Sequence, residues 1–236
     1  MFNIVPSDGP KKCIMALVGE NPVSDDMHEG KPFQSMGGKL LNTKLHINGI
    51  SRTDCYTTYL VKILVKDDNL ESMWKGTTPS SELLDWREAL LKELSELDTN
   101  IIVALGANAL WALTGKTQIG KWRGSLLSVD LAIPGQPGNK RRVKVLGTYH
   151  PAAAFKEHTF GFIIGIDLKK ALKESKFPEL VIPQRSLQIK PDVNDLARLW
   201  KESEDAKEIS FDIETAYSTI TCISFAFDSL HAISIP

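Results

Sequence analysis

The sequence predicts an α/β protein: a three-layer α/β/α domain around a central, mainly parallel four-stranded sheet, followed by the opening of a second domain. Three observations lead there. Short continuous apolar runs, Ile14–Val18 (IMALV) and Ile101–Leu105 (IIVAL), read as strands buried on both faces. Segments with helical periodicity alternate with such strands, the order expected of a parallel sheet covered by helices. The texture then changes after residue 172, where the stretch KESKFPELVIPQRSLQIKP carries three prolines and no clear period.

The elements follow in order. Ile14–Val18 is the first strand and stops at Gly19. A polar, glycine-containing loop covers Glu20 to Gly38, and Lys39–His46 reads as a helix ended by Gly49. Cys55–Val65 (CYTTYLVKILV) is β-branched and aromatic, the signature of a second strand. Thr78 can cap a helix whose first turn holds Pro79. Leu83, Trp86, Leu90, Leu94 and Leu97 then recur at helical spacing and form one apolar face. Ile101–Leu105 is the third strand, and Gly106 turns it into a helix through Ala109 and Leu113. Val129–Ile133 and Arg142–Leu146 flank the turn-rich PGQPGNKRR and read as a hairpin. Its second arm is the fourth core strand and ends at Thr148–Tyr149–His150–Pro151. Phe162–Leu172 reads as a helix.

Sites in such folds lie beyond the carboxyl ends of the strands. Glu20, Tyr59 and His150 all fall there, which is the first pointer to function. Residues 1–172 form the first domain on this reading, 173–191 a linker, and 192–236 the opening of a second domain. Asp192–Ala206 is an amphipathic helix with Val193, Leu196, Leu199 and Trp200 on one face. Glu208–Ile213, Cys222–Phe227 and His231–Ile235 are strands, and the second domain is expected to be incomplete at Pro236.

Composition bounds the partners. The 236 residues carry 28 Lys plus Arg against 29 Asp plus Glu, a net charge of -1. That excludes wholesale neutralisation of DNA but leaves room for a local basic groove. Three scattered cysteines, Cys13, Cys55 and Cys222, form no CxxC pair and suit a reducing, cytoplasmic setting. The opening MFNIVPSDGPKK has no apolar run of the signal-peptide kind. No apolar run approaches the ~18 residues of a membrane span, so no membrane partner is expected.

The loop GENPVSDDMHEGKPFQSMGGKLL, Gly19 to Leu41, resembles the first motif of the uracil-DNA glycosylase superfamily in its family 4 form. The match is gap-free at Gly19, Glu20, Pro22, Gly30, Pro32, Phe33, Gly38, Leu40 and Leu41. It continues through Ile101–Gly115, Arg123–Gly124 and Thr148–Ala153, so that it covers roughly residues 12–172. The resemblance implies a flipped-out base. Phe33 offers a stacking face, with Gly19, Pro22 and the residue at position 59 completing a base-binding pocket. Glu20 positions water or stabilises a cationic sugar, as carboxylates do in glycoside chemistry. His150 donates a hydrogen bond to the departing base. Phe155 falls where the family places its intercalating tip. Lys156, Arg123 and Lys121 are then the phosphate contacts. Taken singly, Phe33 reads as a core aromatic, Glu20 as a solvated loop charge and His150 as a turn residue; the shared spacing favours the site.

The sequence departs from the family pattern in three places. Tyr59 stands where the family has an Asn that reads the uracil edge, and a phenol offers one hydroxyl and more bulk than an amide. The family's iron–sulfur cysteines are missing, with Ile63 and Trp86 at two of the positions, so no Fe–S cluster is expected. Val23 replaces a glycine, and the acidic pair reads Asp25–Asp26–Met27. These departures argue against ordinary uracil excision.

Ile209–Pro236 resembles the opening of the 3′–5′ exonuclease domain of family A DNA polymerases, a truncated ribonuclease H-like start. Asp212 and Glu214 alternate along a strand and point to one side. There they can hold Mg²⁺ or Mn²⁺, but only once a completed exonuclease supplies the remaining ligands. Together the two motifs resemble the N-terminal part of an SPO1-like phage DNA polymerase. They imply DNA and the remainder of the polymerase as partners, in the host bacterial cytoplasm. Two alternatives stand beside this reading: an active DNA glycosylase with altered base specificity, and a replisome protein-interaction module.

Overall fold

The computed structural model of the protein describes residues 4–66, 69–216 and 218–236. The chain divides into two units, Met1–Leu180 and Val181–Pro236.

In the first unit the order is β1 (Met15–Gly19), α1 (Ser24–Glu29), α2 (Met36–Ile47), β2 (Cys55–Tyr59), β3 (Trp74–Lys75), β4 (Thr78–Pro79) and α3 (Ser81–Ser95). There follow β5 (Ile101–Leu105), α4 (Ala107–Thr114), α5 (Ile119–Trp122), β6 (Leu126–Ile133), β7 (Gln136–Thr148), a 3₁₀ turn over Pro151–Phe155, and α6 (His158–Glu174). The main sheet has the order β2-β1-β5-β7-β6. β2, β1, β5 and β7 are parallel, and β6 pairs antiparallel with β7 at the edge. The sheet is therefore mainly parallel, as expected, but five-stranded rather than four-stranded. The fifth strand is β6, the first arm of the expected hairpin, which joins the sheet at its edge; the hairpin turn is only Pro134–Gly135, so Gln136 to Arg141 belong to β7 instead of forming a loop.

Alternation along the strands splits the core in two. Ala16, Val18, Ile102 and Ala104 face a cluster containing Leu83, Leu90 and Leu94 of α3 and Leu110 of α4. Met15, Leu17, Ile101, Val103 and Leu105 face the other way, onto Leu41 and Leu45 of α2 and Ile164 and Leu168 of α6. Helices thus cover both faces of the sheet. Each fully buried Leu or Ile contributes about 1.5–3 kcal/mol of transfer free energy, so this two-sided burial is what fixes the strand ends in space.

Local starts and stops differ from the sequence-based expectation in instructive ways. The helix expected to begin at Thr78–Pro79 begins at Ser81, because Thr78 and Pro79 pair with Lys75 and Trp74 in a two-stranded ribbon. Ser80 is the cap, its hydroxyl accepting from the Leu83 N–H at 3.2 Å. β2 ends at Tyr59 rather than Val65, although the N–H groups of Leu60 and Val61 still bond the carbonyls of Gly19 and Glu20. The loop after β1 contains the short helix α1.

The second unit is a four-stranded sheet in the order β8-β11-β10-β9, with α7. β8 (Ser186–Ile189) lies within residues 173–191, expected as a linker, and pairs parallel with β11. α7 (Val193–Asp205) is capped by Asp192, whose carboxylate accepts from the Asp195 N–H at 2.9 Å. Of its expected apolar face, Leu196 and Leu199 are half-buried while Val193 and Trp200 are exposed. β9 (Ser210–Ala216), β10 (Thr219–Ala226) and β11 (His231–Ile235) form the antiparallel part. Among the described residues, no helix is long and apolar enough to cross a membrane.

Candidate active site

The parallel strands β1, β2, β5 and β7 end at Gly19, Tyr59, Leu105 and Thr148. The residue following β1 is Glu20. Its carboxylate is gripped from one side: Oε1 accepts the Asn108 backbone N–H at 3.0 Å, and Oε2 accepts the Asn108 side-chain amide at 3.0 Å. Asn108 lies in the first turn of α4, whose N-terminus favours negative charge. Gly106 makes the approach possible. A Cβ there would stand 2.2 Å from Glu20 Oε1, and the residue has φ +105°.

His150 follows β7 and caps the Pro151–Phe155 turn, its Nδ1 accepting from the Ala152 N–H at 3.3 Å. With Nδ1 acting as acceptor, the neutral ring carries its proton on Nε2, free to donate. Burial pushes the His150 imidazole below its ordinary value, and the carboxylates of Glu20 and Asp26 oppose that shift. Glu20 and His150 are therefore within electrostatic reach of one another, as their positions at the strand ends lead one to expect.

Phe33 is buried and adopts φ +60°, an unusual conformation for a side chain that is not glycine. Gly38 permits it, since a Cβ at that position would fall 1.8 Å from the Phe33 carbonyl oxygen. The Phe33 ring lies 4.8 Å, centroid to centroid, from that of Tyr59 at an interplanar angle of 41°, and the Arg52 guanidinium sits 5.5 Å from the Phe33 ring. Arg52 is itself tied to the Pro32 carbonyl at 3.2 Å and the Thr57 hydroxyl at 3.1 Å. The ring expected to stack a base is thus packed at a tilt against Tyr59 here. Gly19 leaves the two rings room, a Cβ there meeting Tyr59 at 2.6 Å and Phe33 at 2.8 Å. Pro22 is buried in the same loop, and Asn21 beside it donates to the Pro22 carbonyl at 3.2 Å.

Tyr59 is locked as well as bulky. Its hydroxyl accepts from the Phe33 N–H at 2.9 Å and donates to Asp26 Oδ2 at 2.9 Å. Burial, then the neighbouring Asp26 charge, push the phenol far above its ordinary range, so it stays protonated. Asp26 is buried too, and also accepts the N–H groups of Val23 at 2.9 Å and Gln34 at 2.6 Å. One carboxylate thereby ties the loop after β1 to the end of β2.

The other candidates separate. Phe155 is 51% exposed and Lys156 is exposed, on the turn that His150 caps. Lys121 is exposed on α5. Arg123 is partly engaged: it pairs with buried Asp167 at 3.2 Å, and Asp167 also accepts the Thr148 hydroxyl at 2.7 Å. In the second unit Asp212 and Glu214 are exposed and two apart on β9, opposite Ser224 and Cys222.

Among the described residues no group of three or more His, Cys, Asp or Glu side chains is placed to hold a metal ion. Ile63 and Trp86 instead pack against the apolar cluster of α3 and α4. The three cysteines are free thiols, and burial pushes that of Cys55 up to about 12, a poor state for ligation.

Asn108, Asp26 and Arg52 escaped the sequence reading as parts of the site. Asn108 had a usable signal, a polar amide two residues past the glycine that turns a buried strand into a helix. Asp26 and Arg52 had none, because their partners lie 33 and five residues away in loops or strands.

The profile of the Uracil DNA glycosylase superfamily matches residues 6–173. The chain is similar to a type-4 uracil-DNA glycosylase of Saccharolobus solfataricus, 30% identical over 174 residues, 71% of this chain and 74% of that protein. It is similar to one of Archaeoglobus fulgidus, 31% identical over 156 residues, 64% and 71% of the two chains. A DNA polymerase of Bacillus phage SP01 is 27% identical over 223 residues, 91% of this chain but 22% of the polymerase. These findings correct the expectation that the chain is the leading part of a phage polymerase whose glycosylase-like domain lacks ordinary excision. Type-4 uracil-DNA glycosylases from five organisms match over 70% or more of their own length, and the polymerase over less than a quarter of its own. The chain belongs to the uracil-DNA glycosylase superfamily.

Proposed function

We propose that the chain is an active DNA glycosylase, which flips a base out of DNA and cleaves its glycosidic bond, with a base preference altered by Tyr59. The observation that carries this reading is the pairing of Glu20, fixed at the start of α4, with His150, whose Nε2–H is free to donate. In this mechanism Glu20 stabilises the cationic sugar or orients the attacking water. His150 donates to the oxygen on which negative charge develops as the base leaves. The role of His150 uses the neutral imidazole that its burial favours.

Tyr59 defines how the activity differs from that of the type-4 relatives. The one proton of its hydroxyl is spent on Asp26, and its oxygen already accepts from the Phe33 N–H, so it has no donor left to read a base edge. Discrimination then falls to shape, to Phe33 and to His150. Phe155 is the wedge that fills the gap left by the flipped nucleotide, and Lys156, Lys121 and Arg123 meet phosphates. DNA is the partner, the cytoplasm the compartment, and no Fe–S cluster takes part. In the second unit Asp212 and Glu214 lie two apart on β9 and so share one side of it. Mg²⁺ or Mn²⁺ would bind there only with further ligands.

The test uses duplex oligonucleotides carrying uracil, hypoxanthine or xanthine, followed by alkali. Strand cleavage that disappears in Glu20→Ala and His150→Ala supports excision by this site. Cleavage that persists in both variants refutes the assignment.

A further inference from the structure

We propose that Asn108 is a positioning residue for Glu20, with Trp74 setting the orientation of its amide; this rests on the base-excision reading above. The carboxylate receives one donor on each oxygen, both from Asn108, at 3.0 Å each. A single contact would leave the carboxylate free to rotate, whereas two contacts from one residue fix its plane. Donors to a charged acceptor are also the stronger hydrogen bonds.

The amide could in principle present either its oxygen or its NH₂ to Glu20. Trp74 decides. Its indole Nε1–H is a donor only and lies 3.1 Å from Asn108 Oδ1. The oxygen is thereby claimed from behind, and the NH₂ faces the carboxylate. Trp74 is in turn held edge-on to Trp111 of α4 at 4.7 Å, and the Arg87 guanidinium lies 5.7 Å from the Trp111 ring. The chain of contacts Trp111–Trp74–Asn108–Glu20 ties the reacting carboxylate to the apolar cluster of α3 and α4. Gly106 completes the arrangement, because any Cβ there would displace Oε1. Preorganisation of this kind lowers the barrier by holding the group where charge will develop.

The experiment measures single-turnover excision and thermal melting on the full chain. Asn108→Ala should lower the rate at saturating enzyme by about 10- to 100-fold, with half-saturation unchanged within about twofold. Trp74→Phe, which keeps an aromatic ring beside Trp111 and removes the donor, should give a smaller loss with the same split and serves if Asn108→Ala fails to fold. Glu20→Ala with Asn108→Ala should shift melting by less than the sum of the two single variants, because both remove the bond from the Asn108 amide to Glu20. Losses that appear only in half-saturation, or melting shifts that simply add, overturn the proposal. A wild-type chain that excises none of the three bases refutes the base-excision reading instead, and the melting cycle alone then decides whether Asn108 and Glu20 act as a pair.

Discussion

The Tyr59 hydroxyl donates to Asp26 Oδ2 at 2.9 Å, and both residues are buried. This bond joins the end of β2 to α1, and the Phe33 N–H completes it from the third side. Tyr59→Phe removes the hydroxyl and leaves the Phe33 N–H without its acceptor. The expected loss is about 1–3 kcal/mol of unfolding free energy, the cost of an unpaired buried polar group. Urea unfolding checks it; a midpoint equal to wild type would mean that the hydroxyl does not anchor the loop.

Tyr59→Asn asks a different question at the same position. An amide supplies a donor and an acceptor and occupies less volume. Excision of uracil should rise relative to hypoxanthine, measured as the ratio of single-turnover rates on matched oligonucleotides. A fall for uracil, with hypoxanthine unchanged, would show that Tyr59 is itself needed for uracil.

The pH dependence of stability follows from His150. Burial depresses the folded imidazole below its ordinary value of about 6.5. As pH falls, the unfolded chain therefore takes up its proton first. Stability is flat with respect to this group above about pH 6.5 and is lost as pH drops from there through the folded value. His150→Asn keeps an acceptor for the Ala152 N–H and should remove that part of the slope. Urea midpoints at several pH values between about 5 and 7.5 test it, and an unchanged slope in His150→Asn would assign the loss to another group.

Phe155 is 51% exposed on the turn that His150 caps. Phe155→Ala should change stability by less than about 0.5 kcal/mol, as for surface substitutions generally. It should weaken excision from duplex DNA more than from single strands, because only the duplex leaves a gap for the ring to fill. Equal losses on both substrates would argue against a wedge.

Much of this molecule is legible in its sequence because two-sided burial leaves a plain mark. IIVAL and IMALV are strands since nothing polar could sit on either face. The places of Glu20 and His150, just past the ends of β1 and β7, follow directly from such runs. What was missed depends on competition that one segment cannot reveal. Thr78 is a plausible cap in isolation, but ribbon pairing with Lys75 claims it and Ser80 takes the role. Gln136 to Arg142 looks like loop because it is polar, yet it is paired along an exposed edge where polar side chains are no penalty. Asn108 and Asp26 act through contacts 88 and 33 residues distant, which spacing cannot show.

The most direct test of the whole account is alkaline cleavage of a uracil-, hypoxanthine- or xanthine-containing duplex after incubation with the wild-type chain, Glu20→Ala and His150→Ala. The account predicts cleavage at one or more of these bases by wild type, and losses of roughly 100- to 1,000-fold in each variant, the scale of removing one group that stabilises developing charge. No cleavage at any of the three bases by wild type, or equal cleavage by all three proteins, would contradict it.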